Sequence, residues 1–153
     1  MNNNDILRQI RYALSLNNEA MLAIFTKAGI TYDLSNIIHL LKASDDASCL
    51  VCEDDVLMAF LDELIITKRG PNPRQSSSPQ IETLTNNLVL KKLRIALELK
   101  EENMLAIMKL ANFNLSKYEL SALFRRTDHK NFRSCGDQIL RNFLRGLALH
   151  CRP

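Results

Sequence analysis

NNDILRQIRYALSLN at residues 3–17 and NNLVLKKLRIALELK at 86–100 are two versions of one segment, and the register between them decides the fold. A shift of 83 residues lays Asn3 to Gly70 on Asn86 to Pro153 without a gap, and 22 of the 68 aligned pairs are identical. Most identities are apolar: Leu7/Leu90, Ala13/Ala96, Leu14/Leu97, Met21/Met104 and Ile24/Ile107 near the start of each copy, Leu57/Leu140, Phe60/Phe143, Leu61/Leu144 and Leu64/Leu147 near its end. Their spacings of three, four and seven mark the buried stripe of amphipathic helices, not the alternation of strands.

Each copy reads as four helices. The first is expected at about 5–16 or 88–99 behind the Asn-Asn pair, which offers N-cap residues. The second is expected at 18–28 or 101–111, ending at Gly29 or Asn112, the two residue types that best tolerate a left-handed C-cap. A third follows at 34–42 or 117–126, and a fourth at 54–68 or 136–150. In the second copy the fourth helix is expected to open on a capping box running from Ser134 to Asp137. Residues 71–85, rich in Pro and Ser, have the composition of a linker. The expected fold is therefore all-α: two tandem four-helix modules, 3–70 and 86–153, in a pseudo-twofold arrangement of eight helices.

Composition narrows the function. With 46% hydrophobic residues in 153, the chain can build a core without staples. Its four cysteines are expected to be reduced thiols, and its start shows no secretion leader, so a cytoplasmic protein is expected, with no membrane span. Only four glycines are present, and no cluster of them forms a phosphate-cradling loop. No nucleophile, base or metal set converges, so no catalytic residue, cofactor or metal is expected.

NNLVLKKLRIALELK at 86–100 and DHKNFRSCGDQILRNFLRGLA at 128–148, with NDILRQIRYALSLN at 4–17 and ITKRG at 66–70, resemble the YehS-like family of small uncharacterised bacterial proteins. The resemblance covers nearly the whole chain and implies a duplicated helical domain; it carries no substrate or catalytic residue with it. The first copy departs from the pattern at Cys49 and at Asp62-Glu63, where the second has Phe132 and, in place of Glu63, Gly146.

The repeated polar identities are few. Glu19/Glu102 and Asp54/Asp137 fall in first turns, where a carboxylate meets the positive end of the helix dipole. Arg11/Arg94 borders the apolar stripe, so its guanidinium is expected at the core edge, paired with Asp54/Asp137 or Asp45/Asp128. Cys49-Leu-Val-Cys52 has the spacing of half a zinc site, yet Cys49 occupies a phenylalanine position of the repeat and no second ligand pair exists. Buried small hydrophobes are the expected reading. A reactive Cys135, activated by a helix N-terminus and Arg133, is the alternative. His39, His129 and His150 have no repeated counterpart; His129, within Asp128-His129-Lys130-Asn131, is the one placed to help hold an anion.

Charge separates the copies. Residues 1–70 carry six Lys and Arg against ten Asp and Glu, a net of −4; residues 71–153 carry fourteen against seven, a net of +7. Arg125, Arg126, Lys130, Arg133, Arg141 and Arg145 are the candidate anion- or nucleic-acid-binding residues, joined by Lys91-Lys92 if the helices are neighbours. The first expectation is a non-enzymatic protein engaged in protein–protein interaction or homodimerisation, with the basic copy docking the acidic one within or between chains. The alternative is binding of nucleic acid or a small anion by the basic copy.

Overall fold

The computed structural model describes residues 1–43, 45–70 and 83–152, and among these it holds eight helices and no strand. The first copy supplies α1 (Asn3–Ala13), α2 (Asn18–Lys27), α3 (Leu34–Leu40) and α4 (Asp54–Arg69); the second supplies α5 (Asn86–Ala96), α6 (Glu101–Leu110), α7 (Lys117–Leu123) and α8 (Asp137–Cys151). The expected linker lies mostly outside the described residues.

The caps differ in part from the sequence reading. Asn2 and Thr85 are the N-caps of α1 and α5, accepting from the N–H groups of Asp5 and Leu88. The Asn-Asn pair thus lies inside the first turn, where its side chains are free to reach other elements. α1 and α5 stop at Ala13 and Ala96 because the chain turns left-handed at Ser15 (φ 55°) and Glu98 (φ 53°). Neither is glycine, and each such turn costs about 1 kcal/mol or more that its surroundings must offset. Gly29 (φ 84°) and Asn112 (φ 59°) take the expected left-handed conformation after α2 and α6. α3 and α7 are shorter than expected. α8 is capped by Gly136 with no side-chain bond, so the expected Ser134 capping box does not form.

The two copies do not pack as separate bundles. α1 lies chiefly against α8 of the other copy and α5 against α4, while α2 and α6 cover α4 and α8 within their own copies. α1 and α8 run parallel: the Met1 amino group lies 2.9 Å from Asp137 at one end, and Arg152 reaches the Tyr12 carbonyl at the other. Leu7, Ile10 and Ala13, with Leu90, Leu93 and Ala96, are at most 2% exposed and belong to one core shared by both copies. Each buried leucine or isoleucine contributes about 1.5–3 kcal/mol, so the apolar faces of α1 and α5 are stabilised mainly by the other copy.

The copies differ where α6 meets α8. A Cβ on Gly146 would lie 2.0 Å from the Ile107 carbonyl oxygen, so these backbones approach to a distance that only glycine permits. The first copy has Glu63 at this position and fills its core with Phe25, whose ring stands 5.1 Å from Phe60 and 5.3 Å from Tyr32.

Candidate functional site

The six candidate cations fall into two groups. Arg125, Arg126, Lys130 and Arg133 are carried by the segment between α7 and α8, and Arg141 and Arg145 lie one turn apart on the exposed side of α8. The loop is held by its own bonds. The Arg133 N–H donates to the Ala122 carbonyl (3.1 Å) and the Asn131 N–H to His129 Nδ1 (3.0 Å). Arg125 Nη1 stands 3.4 Å from His129 Nε2, and its Nε is buried without a hydrogen-bond partner.

Carboxylates are interleaved with these cations. Arg126 pairs with Asp128 at 3.2 Å and Arg133 with Glu119 at 3.3 Å. Hydrogen bonds from Ser116, and behind them Arg133, hold the Glu119 carboxyl below its ordinary pKa. Lys130, Arg141 and Arg145 have no carboxylate within 4 Å among the described residues.

Docking of the acidic copy by these residues within one chain does not occur. Among the described residues none of the six forms an ion pair with the first copy, because the copies are joined through the apolar faces of α1, α4, α5 and α8 instead. The ion pairs between copies are peripheral: Met1 to Asp137, Arg69 to Glu98 at 3.3 Å, and Lys92 to Asp62. Lys92 is therefore taken up at the junction with α4, away from the basic face it was expected to extend.

The pairing expected for Arg11 and Arg94 is also replaced. Arg11 Nη2 donates to Asn18 Oδ1 at 3.3 Å, while its buried Nε has no partner. Arg94 donates to the Leu99 carbonyl at 3.1 Å and lies 4.6 Å from the centre of the Phe124 ring. Sitting in the last turns of α1 and α5, both arginines meet acceptors just beyond their own helices before any distant carboxylate. Asp54 and Asp137 instead accept from Asn3 Nδ2 (2.7 Å) and Asn86 Nδ2 (2.8 Å). That bond, followed by the Met1 amino group, lowers the Asp137 pKa.

Two repeated devices went unread in the sequence. Asn4 Nδ2 donates to the Leu40 (2.9 Å) and Leu50 (2.8 Å) carbonyls while Oδ1 accepts from the Cys52 N–H (2.9 Å). Asn87 repeats this with Leu123, Arg133 and Cys135. Each asparagine satisfies three backbone groups of the loop that leads into α4 or α8. The other device is Arg69 and Arg152, each reaching the end of the first helix of the opposite copy. Both were visible as polar identities unexplained by apolar periodicity.

All four cysteines are free, with Cys52 and Cys135 buried. Burial pushes the Cys52 thiol up to about 12 and the Cys135 thiol up to about 11. At Cys135 the hydrogen bond from Leu140 and the charge of Arg133 pull the other way but do not prevail, so the reading of an activated thiol is corrected. Cys49 is half-buried against Asn4 and backbone carbonyls. His39 is half-buried and bonded to the Ser35 carbonyl, and His150 is exposed. Among the described residues no group of three or more His, Cys, Asp or Glu could hold a metal ion, and no helix is long and apolar enough to cross a membrane.

The duplicated, interlocked architecture has a counterpart in sequence comparison. The family model described as a protein of unknown function (DUF1456) matches residues 3–70 and again 86–152. The chain belongs to this family. It is 44% identical over 151 residues to the uncharacterised protein YehS of Escherichia coli (strain K12), covering 97% of this chain and 95% of that protein. No solved structure matches. The family's repeat boundaries coincide with the copies that exchange their first helices.

Proposed function

We propose that this chain is a non-enzymatic cytoplasmic binding protein that docks an acidic protein surface on the basic face of its second copy. The observation that carries the reading is that, among the described residues, Lys130, Arg141 and Arg145 face no carboxylate within 4 Å, while the copies meet through apolar helices. Among the described residues these cations take no part in the ion pairs that join the copies, and complementary charge on a partner would steer and orient its approach.

Interleaved carboxylates favour protein over nucleic acid. A phosphate backbone laid along the face would meet Glu119, Asp128 and Asp137 among the arginines, whereas a protein can place its own cations opposite them. Apolar groups accompany the charge: Tyr118 on α7 is 65% exposed and Leu149 on α8 is 47% exposed, the mixture found in protein interfaces. A second copy of the chain qualifies as the acidic partner, since residues 1–70 carry a net of −4.

The test is capture of partners from bacterial lysate at low and high salt, with and without nuclease, alongside light scattering of the purified protein. The wild type is compared with a variant carrying Arg126→Glu, Lys130→Glu, Arg133→Glu and Arg141→Glu. Recovery of one acidic protein, or of the chain itself, that is lost in the variant and at high salt supports the proposal. Nuclease-sensitive recovery would transfer the face to nucleic acid, and recovery indifferent to the four substitutions would remove it from the binding surface.

A further inference from the structure

Three differences between the copies mark the cleft along α1 and α8 off from the corresponding junction of α5 and α4. Between α5 and α4, Ile65 is buried at 6% exposure and Lys92 is paired with Asp62 across the groove. The corresponding residues between α1 and α8 are Ala148, Gln9 and Arg145. Ala148 removes three carbons from the packing, and Gln9 with Arg145 cannot form the ion pair. A cleft of about 350 Å³ lies here, lined by buried Leu144, half-buried Ala148 and exposed Tyr12 and Leu149, together with Arg8, Gln9 and Arg145.

The two lining arginines are unequal. Arg8 is occupied by Asp5 and by the Lys42 carbonyl at 2.6 Å, whereas Arg145 has no carboxylate within 4 Å among the described residues. Outside the lining itself, Arg152 is stacked 4.3 Å from the centre of the ring of Tyr12, a lining residue. Gln9 is the uncharged amide of the lining, and Leu144, Ala148 and Leu149 are its aliphatic part. The volume lies at the small end of the roughly 300–1,000 Å³ spanned by ligand pockets, so it admits one short tail and not a helix.

We propose that this cleft binds a small amphipathic carboxylate, with an acyl or aryl tail against Leu144, Ala148 and Leu149 and its carboxylate on the Arg145 guanidinium. Charge complementarity selects the head group: a guanidinium beside an apolar wall forms a bidentate, charge-assisted pair with a carboxylate, strengthened where the tail excludes water. The size of the cleft selects the tail. The cleft shares Arg145 and Leu149 with the proposed acidic-partner surface, but the four substitutions that test that surface lie outside the cleft, so the two proposals fail separately.

The experiment titrates decanoate, decanol and acetate into the full-length ¹⁵N-labelled protein and follows backbone amides by NMR. Decanoate is expected to give saturable shifts at Tyr12, Leu144, Ala148 and Leu149. Decanol and acetate are each expected to bind about tenfold more weakly or worse, for want of head group or tail. Ala148→Ile, which installs the side chain the first copy carries at the equivalent position, is expected to weaken decanoate by about tenfold or more. The double variant Gln9→Lys with Arg145→Asp, which rebuilds the Lys92–Asp62 arrangement, is expected to abolish its binding. Both should keep the wild-type far-UV spectrum, and the ligand comparison in the wild type needs no variant. Equal binding of decanol and decanoate would assign the cleft to an apolar group instead, and no saturable shift at these amides would overturn the site.

Discussion

Arg152, at the end of the second copy, stacks its guanidinium 4.3 Å from the centre of the Tyr12 ring in the first and donates to the Tyr12 carbonyl at 3.2 Å and to Ser15 Oγ at 2.8 Å. Its repeat equivalent Arg69 makes the matching approach to the Ile95 carbonyl and Glu98. Each arginine thus closes the C-terminal end of the other copy's first helix, where carbonyls lack partners and the dipole is negative. It also engages the left-handed residue that ends that helix. Arg152→Ala is expected to cost about 1–2 kcal/mol, and Arg69→Ala less, because its pair with Glu98 is solvated. Urea denaturation of both variants measures the difference.

Asn4 is 5% exposed and satisfies three backbone groups at once. Asn4→Ala leaves the buried Leu40 carbonyl and Cys52 N–H without this partner and the part-buried Leu50 carbonyl with only the weak Cys49 thiol contact, and is expected to cost about 3 kcal/mol. Asn4→Asp should do no better, since a carboxylate would then face the Leu40 and Leu50 carbonyls. Thermal melts of the two variants, with the matching pair at Asn87, check whether the clamp acts equally in both copies.

Gly146 and Gly136 give opposite expectations for one substitution. Gly146→Ala forces a Cβ to 2.0 Å from the Ile107 carbonyl oxygen, so α6 and α8 must separate, at a cost of about 3 kcal/mol or more. A Cβ at Gly136 meets nothing within 4 Å, and its substitution by alanine is expected to change stability by under about 1 kcal/mol. Equilibrium unfolding distinguishes the two.

The buried thiols set an alkaline limit. The folded pKa values of Cys52 and Cys135, about 12 and about 11, lie above the roughly 8.5 of an unfolded cysteine. A raised thiol pKa contributes stability that is complete below the unfolded value. That contribution is lost as pH rises from about 8.5 towards the folded values. Stability followed by denaturant midpoint should therefore fall across this window, and Cys52→Ala with Cys135→Ala should flatten the fall. At pH 8 iodoacetamide is expected to modify exposed Cys151 first, with Cys52 and Cys135 slower by about two orders of magnitude. Mass spectrometry of peptides gives the order.

The helices and the duplication were legible because apolar periodicity and the 83-residue register are local properties of the chain. What escaped was how the copies meet. Leu7, Ile10 and Leu14 show that α1 has an apolar face, but periodicity carries no information on whether α4 or α8 covers it. Asn4 was misread as a cap because a polar residue beside a helix start usually serves there; its burial becomes evident only when the loop from Leu40 to Cys52 folds back. The cations of the second copy were also legible as residues. Their separation from Lys92, and the failure of the acidic copy to cover them, follow from the exchange of first helices, which the sequence does not display.

That exchange is tested most directly by residues 83–153 alone, examined by light scattering and circular dichroism. With α4 gone, α5 loses its main partner and α8 loses α1. The half-chain is therefore expected to be either largely unfolded or a dimer, in which α5 of each molecule lies on α8 of the other. A folded, monomeric half-chain would contradict the interlocked fold, and with it the explanation of why the basic face is left open to solvent.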